Sequence, residues 1–467
     1  MSTYAYAEIA FLCASLLLLF GALAIRLSGR KRTQFTYNAV MLLVLIVLSA
    51  YLIIAGPAPD TSVSIVSISF NAFSALLFFL FSFGMLMVNL LAYEYSSNYA
   101  DFALMSDFAL LGMIIVASSA SLVSLFIGLE LTSIPTTFAI LLERKSIEPA
   151  VKFFIMASIS IAIFAFAAGI YYVLTNSLAL SPALQEGALA FAAFIFIASL
   201  SFDASIFPFN ILIPDVYEGS RPYITAMLGG INKKVGFAAL IQIMILLFFA
   251  YNGLFIAVAI LSVVTMFYGN LPALSQSGIK RLFAYSSISQ AGYILIGIAA
   301  DSAQGITASL FQIFAHSFAF IGIFAIFALM ESRGRTKISD MAGLSSENRL
   351  AAFALAIFMF SFIGVPFTMG FIGKFLLFLS AVNSGLYWLA IIGIINSVIS
   401  IYYYFRLLIA SYSKGRSTKH FNMPQRVTAV VVICLAATIL FGIYPIPIIS
   451  ISSSAASYLF SHVAGLL

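Results

Sequence analysis

Apolar stretches of about 20 residues follow one another along the whole chain, separated by short polar segments. A helix of that length crosses the hydrocarbon core of a bilayer, so the pattern predicts an all-helical, polytopic membrane protein. We expect fourteen spans, at 4–26, 36–55, 70–93, 104–120, 122–142, 150–175, 186–209, 222–248, 253–273, 280–300, 303–330, 351–380, 386–411 and 426–447. The remaining segment, 448–467, is apolar and rich in serine, and we expect it to lie along the membrane surface.

The composition excludes a water-soluble fold. The 467 residues are 63% hydrophobic and only 8% charged, whereas a soluble domain carries about a quarter charged residues. The two cysteines, Cys13 and Cys434, both lie inside apolar runs without the spacing of metal ligands, which predicts small core side chains. We therefore expect no redox cofactor or metal on this chain, and no nucleic-acid partner.

Basic residues alternate between the loops in a way that predicts the orientation. They follow the odd-numbered spans, except for the loop 94–103, and no loop after an even-numbered span contains lysine or arginine. The basic loop residues are Arg26, Arg30, Lys31, Arg32, Arg144, Lys145, Arg221, Lys280, Arg281, Arg333, Arg335, Lys337, Arg349, Lys414, Arg416, Lys419 and Arg426. By the positive-inside rule these loops face the cytoplasm, both termini lie outside, and the protein resides in the plasma membrane.

A few ionisable residues fall inside the predicted spans. Such charges are costly in a bilayer and usually face a bundle interior or a water-filled path. They are Glu8, Asp107, Glu130, Lys152, Asp203, Lys233, Lys234, His316, Lys374 and Arg406. Glu8 and Asp107 are assigned to helix ends, and Arg406 lies where its side chain can reach the interface.

Glu130 is well inside span five, where so short a side chain cannot reach the interface, and this predicts a functional role. Lys152, near the start of span six, either extends to the interface or pairs with Glu130. Lys233 and Lys234 are adjacent and point about 100° apart, so only one can face a given polar path. We prefer Lys233 as the interior residue.

His316 and Lys374 lie deep in spans eleven and twelve. A buried histidine either satisfies local hydrogen bonds or relays protons, and near buried lysines the relay is favoured. Lys374 follows a proline by eight residues in GVPFTMGFIGKF. That string lacks the spacing and context of a phosphate loop, so we interpret it as a membrane charge.

Pro208 and Pro366 interrupt spans seven and twelve in similar strings, SFDASIFPFN and MFSFIGVPFT. Proline frees backbone carbonyls, which a membrane tolerates only where other groups satisfy them. Broken helices in corresponding positions of two halves are typical of transporters with inverted repeats, and an offset of five spans reverses orientation. Two ordinary helix kinks are the alternative.

Several longer strings resemble one family. GLELTSIPTTFAIL, EPAVKFFIMAS, FPFNILIPDVYEGSRPYITAMLGGINKKVGF, NLPALSQSGIKRLFAYSSISQAGYILIG, GVPFTMGFIGKF and NSVISIYYYFRLL occur in order between residues 120 and 410. They resemble the N subunit of respiratory complex I, an antiporter-like membrane subunit of NADH:quinone oxidoreductase. The related L, M and cation-antiporter subunits share the scaffold of broken helices, and Lys in span eight favours the N type.

The resemblance implies a fold and an assembly. It implies fourteen helices with an N-terminal group at 1–103, inverted five-helix repeats at 104–248 and 249–411, and a C-terminal helix and tail at 412–467. It also implies other membrane and peripheral subunits as partners. Quinone would be contacted only through those neighbours, and the chain would act as a translocase subunit without a redox site of its own.

The resemblance also implies residue roles, with Glu130 as the coupling carboxylate, Lys233 as the central lysine and Lys374 as the exit-side lysine. Lys152 matches a family lysine in KFF. One departure is Asp203, which stands five residues before Pro208 where the family has lysine. Either Lys152 or Lys234 then supplies a positive partner for Glu130, or the first half-channel works differently or has lost transport.

A second departure is Gln290, which stands where histidine is common in the family. The hypothesis that follows has protons entering from the cytoplasm, residing on Lys233, passing through water and His316 to Lys374, and leaving outside. Glu130, with Lys152 or Asp203, would set the proton affinity of Lys233. The alternatives are a cation/proton antiporter acting alone or of the Mrp type, and a membrane subunit of a related hydrogenase or dehydrogenase.

Overall fold

The computed structural model of the chain describes residues 3–26, 30–55, 62–63, 67–142, 147–181, 187–249, 251–414 and 420–464. Four residues of the expected basic loops, Arg144, Lys145, Arg416 and Lys419, lie outside these ranges. Within them the chain is almost entirely helical, apart from a short antiparallel pair, β1 (Ser62–Val63) and β2 (Ile68–Ser69).

The helices follow the apolar runs of the sequence. In chain order they are α1 Thr3–Arg26, α2 Lys31–Ala55, α3 Ala72–Tyr95, α4 Tyr99–Ala117, α5 Leu122–Leu141, α6 Glu148–Thr175, α7 Ala188–Asp203, α8 Ile213–Gly219, α9 Pro222–Met227, α10 Lys233–Phe248, α11 Asn252–Ser275, α12 Ile279–Ala299, α13 Ala303–Glu331, α14 Leu344–Glu347, α15 Arg349–Ile363, α16 Met369–Asn383, α17 Tyr387–Tyr412, α18 Gln425–Ile443 and α19 Ile446–Ala464. A π-helical segment, Leu228–Asn232, joins α9 to α10, and a 3₁₀ turn covers Ile338–Met341.

Eleven helices in the described part of the chain are long and apolar enough to cross a membrane. The prediction of a nearly all-helical membrane protein is thereby confirmed. The number of spans stays a prediction, because α7 in the expected span seven has only 16 residues, and the expected span twelve is divided into α15 and α16. Around Pro208, α7 ends at Asp203 and α8 begins at Ile213.

The second interruption lies between α15 and α16, around Pro366. Gly364 ends α15 in the left-handed region, with φ of 92°, a conformation that costs glycine little and other residues more. The chain then leaves the helix axis for four residues before α16 begins at Met369. Both interruptions therefore occur where the sequence places proline.

Helix α13 forms the centre of the molecule. Every residue from Gly305 to Met330 is buried, and α13 packs against α3, α9, α12, α15, α16, α18 and α19. A helix that is apolar on all sides is buried on all sides. The C-terminal segment that we expected on the membrane surface forms α19, which packs against α3, α10 and α13.

Two assignments from the sequence are wrong. Asp107 is not at a helix end: it lies in the middle of α4 and is buried. Cys13 is exposed, although Cys434 is buried as expected. Arg406, by contrast, does reach a helix end, where its guanidinium donates to the carbonyl oxygens of Leu274 and Gln276.

Candidate functional site

The two adjacent lysines begin α10, directly after the π-helical segment. A π-helical turn is wider than an α-helical turn and is often found at functional sites. Close packing accompanies it here, because a Cβ on Gly229 would lie 2.3 Å from the ring of Phe320 in α13. Both Lys233 and Lys234 are buried. They face different partners, as the angle between neighbouring helical residues requires.

Lys233 faces a small cavity that is lined mostly by apolar side chains. Its Nζ donates to Ser287 Oγ at 3.2 Å and lies 4.7 Å from the ring centre of Tyr217, a cation–π distance. The cavity has a volume of about 30 Å³, and Asp203 and Asn232 also line it. A space of that size has room for about one or two water molecules. Asp203 and Lys233 therefore share one compartment.

Lys234 points the other way, towards α13. Its Nζ lies 2.9 Å from Nδ1 of His316, and both side chains are 2% exposed. The imidazole is stacked between the rings of Phe320 and Phe362, with centroid distances of 5.2 and 5.3 Å. The aromatic rings hold the imidazole in place, so that one ring nitrogen is presented to the lysine.

Lys374 closes the series at the second interruption. Its Nζ donates to the carbonyl oxygens of Phe362 at 2.8 Å and Ile363 at 3.1 Å, and to Ser397 Oγ at 2.9 Å. These carbonyls end α15, and the C-terminus of a helix carries partial negative charge that favours a cation. The ring of Tyr293 lies 4.5 Å from the ammonium nitrogen. Lys374 is therefore bound by the backbone carbonyls at the interruption between α15 and α16.

Phe362 connects the two halves of this arrangement. Its ring stacks on His316 and its carbonyl oxygen accepts from Lys374. Four ionisable side chains thus follow one another through the protein interior, and we call Lys233, Lys234, His316 and Lys374 the buried axis. Sequence analysis singled out all four, but it took Lys233 alone as the interior lysine. The structure buries both lysines and places Lys234, not Lys233, against His316.

Glu130 and Asp203 lie at the start of the axis. Glu130 is half-buried on α5, and Asp203 at the end of α7 is within electrostatic range of it. Ser160 of α6 lies beside the Asp203 carboxylate. The two carboxylates are therefore neighbours, as the Asp203 departure implied.

The expected positive partner of Glu130 is not where the sequence suggested. Lys152 forms ion pairs with Asp215 at 2.7 Å and with Glu148 at 2.6 Å, and Lys234 is engaged with His316. The pairing of Lys152 with Glu130 is thus wrong for this conformation. The reason is position: Lys152 is the fifth residue of α6, which packs against the carboxylate-bearing helix α8.

Gln290, the other departure, takes part in a pair of amides. Gln312 Nε2 donates to its Oε1 at 3.0 Å, and Gln290 Nε2 reaches the Phe362 carbonyl oxygen at 3.5 Å. Gln290 therefore lies beside the same carbonyl that binds Lys374. It adds a polar side chain to the axis without a titratable group.

Sequence analysis missed a second polar connection that runs beside the axis. Ser286 Oγ and Tyr404 OH are 2.5 Å apart, and the neighbouring Tyr403 OH donates to Asn270 Oδ1 at 2.8 Å. Asn270 in turn donates to Asn396, which precedes Ser397, the partner of Lys374. Sequence analysis looked for charged residues inside apolar runs, and these hydroxyl and amide side chains are neutral. The run of three tyrosines in YYYFR was the feature of the sequence that could have indicated them.

An ionic cluster at the basic end was also missed. Arg281 donates to Glu218 at 2.6 Å and lies 3.1 Å from Asp215, while Lys280 pairs with Glu331 at 2.8 Å. These residues line or adjoin an open polar cavity of about 540 Å³ between α8, α12 and α13. The PDVYEG and IKRL strings that carry the family resemblance build this cluster.

Several buried polar atoms along the axis have no protein partner in the described residues. They are Asn232 Oδ1, Gln312 Oε1 and His316 Nε2. Buried polar groups are nearly always hydrogen-bonded to protein or to ordered water. Their concentration beside the four ionisable groups indicates a path suited to water.

Comparison with known proteins identifies a family that matches the part of the chain with this arrangement. Residues 119–400, more than half of the chain, match the family described as NADH:quinone oxidoreductase/Mrp antiporter, TM. The chain belongs to this family. The match begins just before α5 and ends within α17, so this antiporter family segment contains the whole buried axis and both interrupted helices.

Relatives within the antiporter family support the N-type resemblance. NADH-quinone oxidoreductase subunit N of Trichlorobacter lovleyi is 35% identical over 365 residues, 74% of this chain and 75% of the relative. F(420)H(2) dehydrogenase subunit N of Methanosarcina mazei is 32% identical over 423 residues, 84% of this chain and 85% of the relative. The resemblance noted from the sequence is confirmed.

A solved structure supports the fold. A chain of respiratory complex I from Thermus thermophilus with bound Aureothin superposes with a TM-score of 0.83 at 25% identity, covering 95% of this chain and 99% of that one. The likeness extends beyond the family segment to the N-terminal and C-terminal helices.

Proposed function

We propose that this chain is the N-type, antiporter-like membrane subunit of a complex I-type quinone oxidoreductase, and that it moves protons along the buried axis. The observation that carries the proposal is the connected series from Lys233 and Lys234 through His316 to Lys374. Ionisable groups so far inside a membrane protein usually serve ion paths. Family membership and the subunit N relatives support the same function.

The proposed topology has fourteen spans in the plasma membrane, with the basic loops in the cytoplasm and both termini outside. The five proposed spans at 104–248 and the five at 249–411 form inverted repeats, and each repeat contains one broken helix. The shared Pro-Phe dipeptide at the two interruptions supports the repeats. The alternation of basic loops supports the orientation.

In the proposed mechanism, a proton from the cytoplasm reaches the cavity that Lys233 shares with Asp203. It passes to Lys234 and then to His316 Nδ1, 2.9 Å away. Two cations at that distance repel by on the order of 5 kcal/mol at an effective dielectric constant of about 20. A proton arriving on one group therefore drives the proton on the next group forward.

Lys374 receives the proton on the far side of His316 and releases it outwards. His316 Nε2 and the neighbouring Gln312 Oε1 are the buried atoms with which water can bridge the step. The carbonyl oxygens of Phe362 and Ile363 stabilise the charged lysine until release.

Glu130 and Asp203 set the occupancy of Lys233 through their charge. Because the two carboxylates are neighbours, a displacement of Glu130 by an adjacent subunit changes the electrostatic potential at the cavity that Asp203 and Lys233 share. Lys152 contributes from the basic end, where it holds Asp215 of α8. Its role is to position the broken helix.

The proposed assembly supplies the chemistry that this chain does not perform. Quinone reduction in neighbouring subunits drives the translocation, and peripheral subunits deliver the electrons. The electron donor follows from those subunits: it is NADH in one relative's name and F(420)H(2) in another's. No cofactor is assigned to this chain.

The alternative is a cation/proton antiporter. It is supported by the family description, which includes Mrp antiporters, and by the neighbouring carboxylates Glu130 and Asp203. The tagged chain, purified from its host in mild detergent, separates the two by mass spectrometry of its partners. Quinone-site and iron–sulfur subunits are expected to co-purify, and the assembly in proteoliposomes should acidify one side on addition of quinone and donor. Purification alone or as a homodimer would contradict the proposal and make Asp203 a candidate cation ligand.

A further inference from the structure

A buried acid lies outside the buried axis, in the N-terminal helices. Asp107 is the ninth residue of α4 and is 1% exposed, and Asn38 of α2 beside it is fully buried. Asn38 Nδ2 donates to Asp107 Oδ2 at 3.0 Å, across 69 positions in sequence. The bond joins α2 to α4, which is the first helix of the proposed first repeat.

The surroundings of Asp107 provide no counter-charge among the described residues. Tyr37 of α2 and Tyr99 of α4 are the titratable groups within electrostatic range. Both phenols already donate elsewhere, Tyr37 to the Leu17 carbonyl oxygen and Tyr99 to Asn89 Oδ1. Arg26, at the end of α1, pairs with Asp101 near the start of α4.

Two oxygen atoms of the pair are buried without a partner, Asp107 Oδ1 and Asn38 Oδ1. An ionised carboxylate can only accept hydrogen bonds, and so can the oxygen of an amide. Two acceptors cannot satisfy each other, and each unmet buried group costs about 1–3 kcal/mol, more when it is charged. With an ionised Asp107, both oxygens and the charge itself would be left uncompensated.

A single bound proton removes the negative charge and gives both unpartnered oxygens a hydrogen bond. We propose that Asp107 is a proton-binding site, held as the neutral acid in a two-hydrogen-bond ring with Asn38. The acid carbonyl accepts from the amide N–H, and the acid O–H donates to the amide oxygen. The bound proton ties α2 to α4. It is held in place and takes no part in transport along the buried axis, so this inference stands independently of the proposed function.

The test is infrared spectroscopy of the full-length chain, purified in detergent at neutral pH, with and without the isosteric substitution Asp107→Asn. The wild-type minus variant spectrum is expected to contain the carbonyl stretch of one protonated carboxylic acid. Asp101→Asn, on the same helix, is the matched control, because that carboxylate pairs with Arg26 and should contribute no acid band. A carboxylate band in place of the acid band in the Asp107→Asn difference would overturn the proposal.

A second measurement follows thermal unfolding against pH. A proton bound only in the folded state stabilises it at low pH, and the stability is lost as pH rises. Wild type should therefore lose more stability between neutral and alkaline pH than Asp107→Asn, in which an amide pair replaces the acid–amide ring. Asn38→Leu should lower the unfolding temperature at every pH. An identical pH dependence in wild type and Asp107→Asn would contradict a bound proton.

Discussion

The two interruptions share a Pro-Phe dipeptide, but side chains of opposite charge lie at the ends of the helices that precede them. α15 ends at Ile363, and its last carbonyls accept from the ammonium of Lys374. α7 ends at Asp203, so a carboxylate stands at the negative end of its own helix. The helix dipole therefore favours the charged side chain at the second interruption and opposes it at the first.

The difference shows where each half obtains its cation. At the second interruption Lys374 comes from α16, the continuation of the broken helix itself. At the first, the cation nearest the cavity is Lys233, which comes from the separate helix α10. Asp203 and Lys233 thus line one cavity from two separate helices, α7 and α10. In the second half, by contrast, the cation is hydrogen-bonded to the end of the helix that precedes the interruption.

The largest expected effect is at Lys374. Lys374→Met should reduce quinone-driven proton translocation in proteoliposomes to background, because the last proton-holding group is gone. Assembly should persist with about 1–3 kcal/mol less stability, since two carbonyls and Ser397 lose their donor. Lys414→Met, an exposed lysine, is the control. Normal pumping in Lys374→Met would remove the exit role and with it the contrast between the halves.

The comparison is tested most directly at Asp203. Asp203→Lys places a cation at the end of α7, as at the end of α15, and should pump at the wild-type rate or faster, whereas Asp203→Leu should pump more slowly. Pumping is measured with the complex intact, as judged by its co-purifying subunits. Complete loss of pumping in Asp203→Lys would show that pumping requires the carboxylate at this position.

A several-fold reduction is expected from His316→Gln. The amide can still contact Lys234 but cannot take up a proton, so transfer across the centre must use water or the Ser286–Tyr404 connection. Tyr404→Phe in the same background distinguishes these routes. If the double variant pumps no more slowly than His316→Gln, the tyrosines are structural.

The smallest effect concerns stability at the turn between α12 and α13. Burial raises the pKa of Asp301 to about 7, above its ordinary value of 3.8. Because the folded-state pKa is raised, the contribution to stability is present below pH 4 and is lost as pH rises through about 7. Asp301→Asn should therefore flatten the pH dependence of thermal unfolding in that window. Asp301 has a positive φ of 43°, which asparagine adopts readily.

Much of the fold was predictable because its signals are local. Apolar length predicted the helices, and proline predicted both interruptions. Buried charge predicted the residues of the axis, since a lysine or histidine inside an apolar run is costly wherever the run packs. The boundaries of spans seven and twelve were less accurate, because where a helix stops beside a proline depends on which neighbour accepts the freed groups.

Partners were not predictable, and Asp107 illustrates why. Its place in the sequence suggested a helix end, but α4 begins at Tyr99, and only packing against α2 puts Asn38 beside it. Lys152 likewise met Asp215 across 63 positions in sequence rather than Glu130. No local pattern encodes such distances.

The sequence by itself determined that this is a helical membrane protein, where its helices break, which charges lie inside apolar runs and to which family it belongs. Hydrophobicity, proline chemistry and the desolvation of charge act on each segment alone, so these properties can be read along the chain. Only the tertiary structure decided that Lys233 shares a cavity with Asp203, that Lys234 meets His316 and that Lys374 binds the end of α15. Those contacts depend on the relative rotation and depth of helices distant in sequence, which packing of the whole bundle sets.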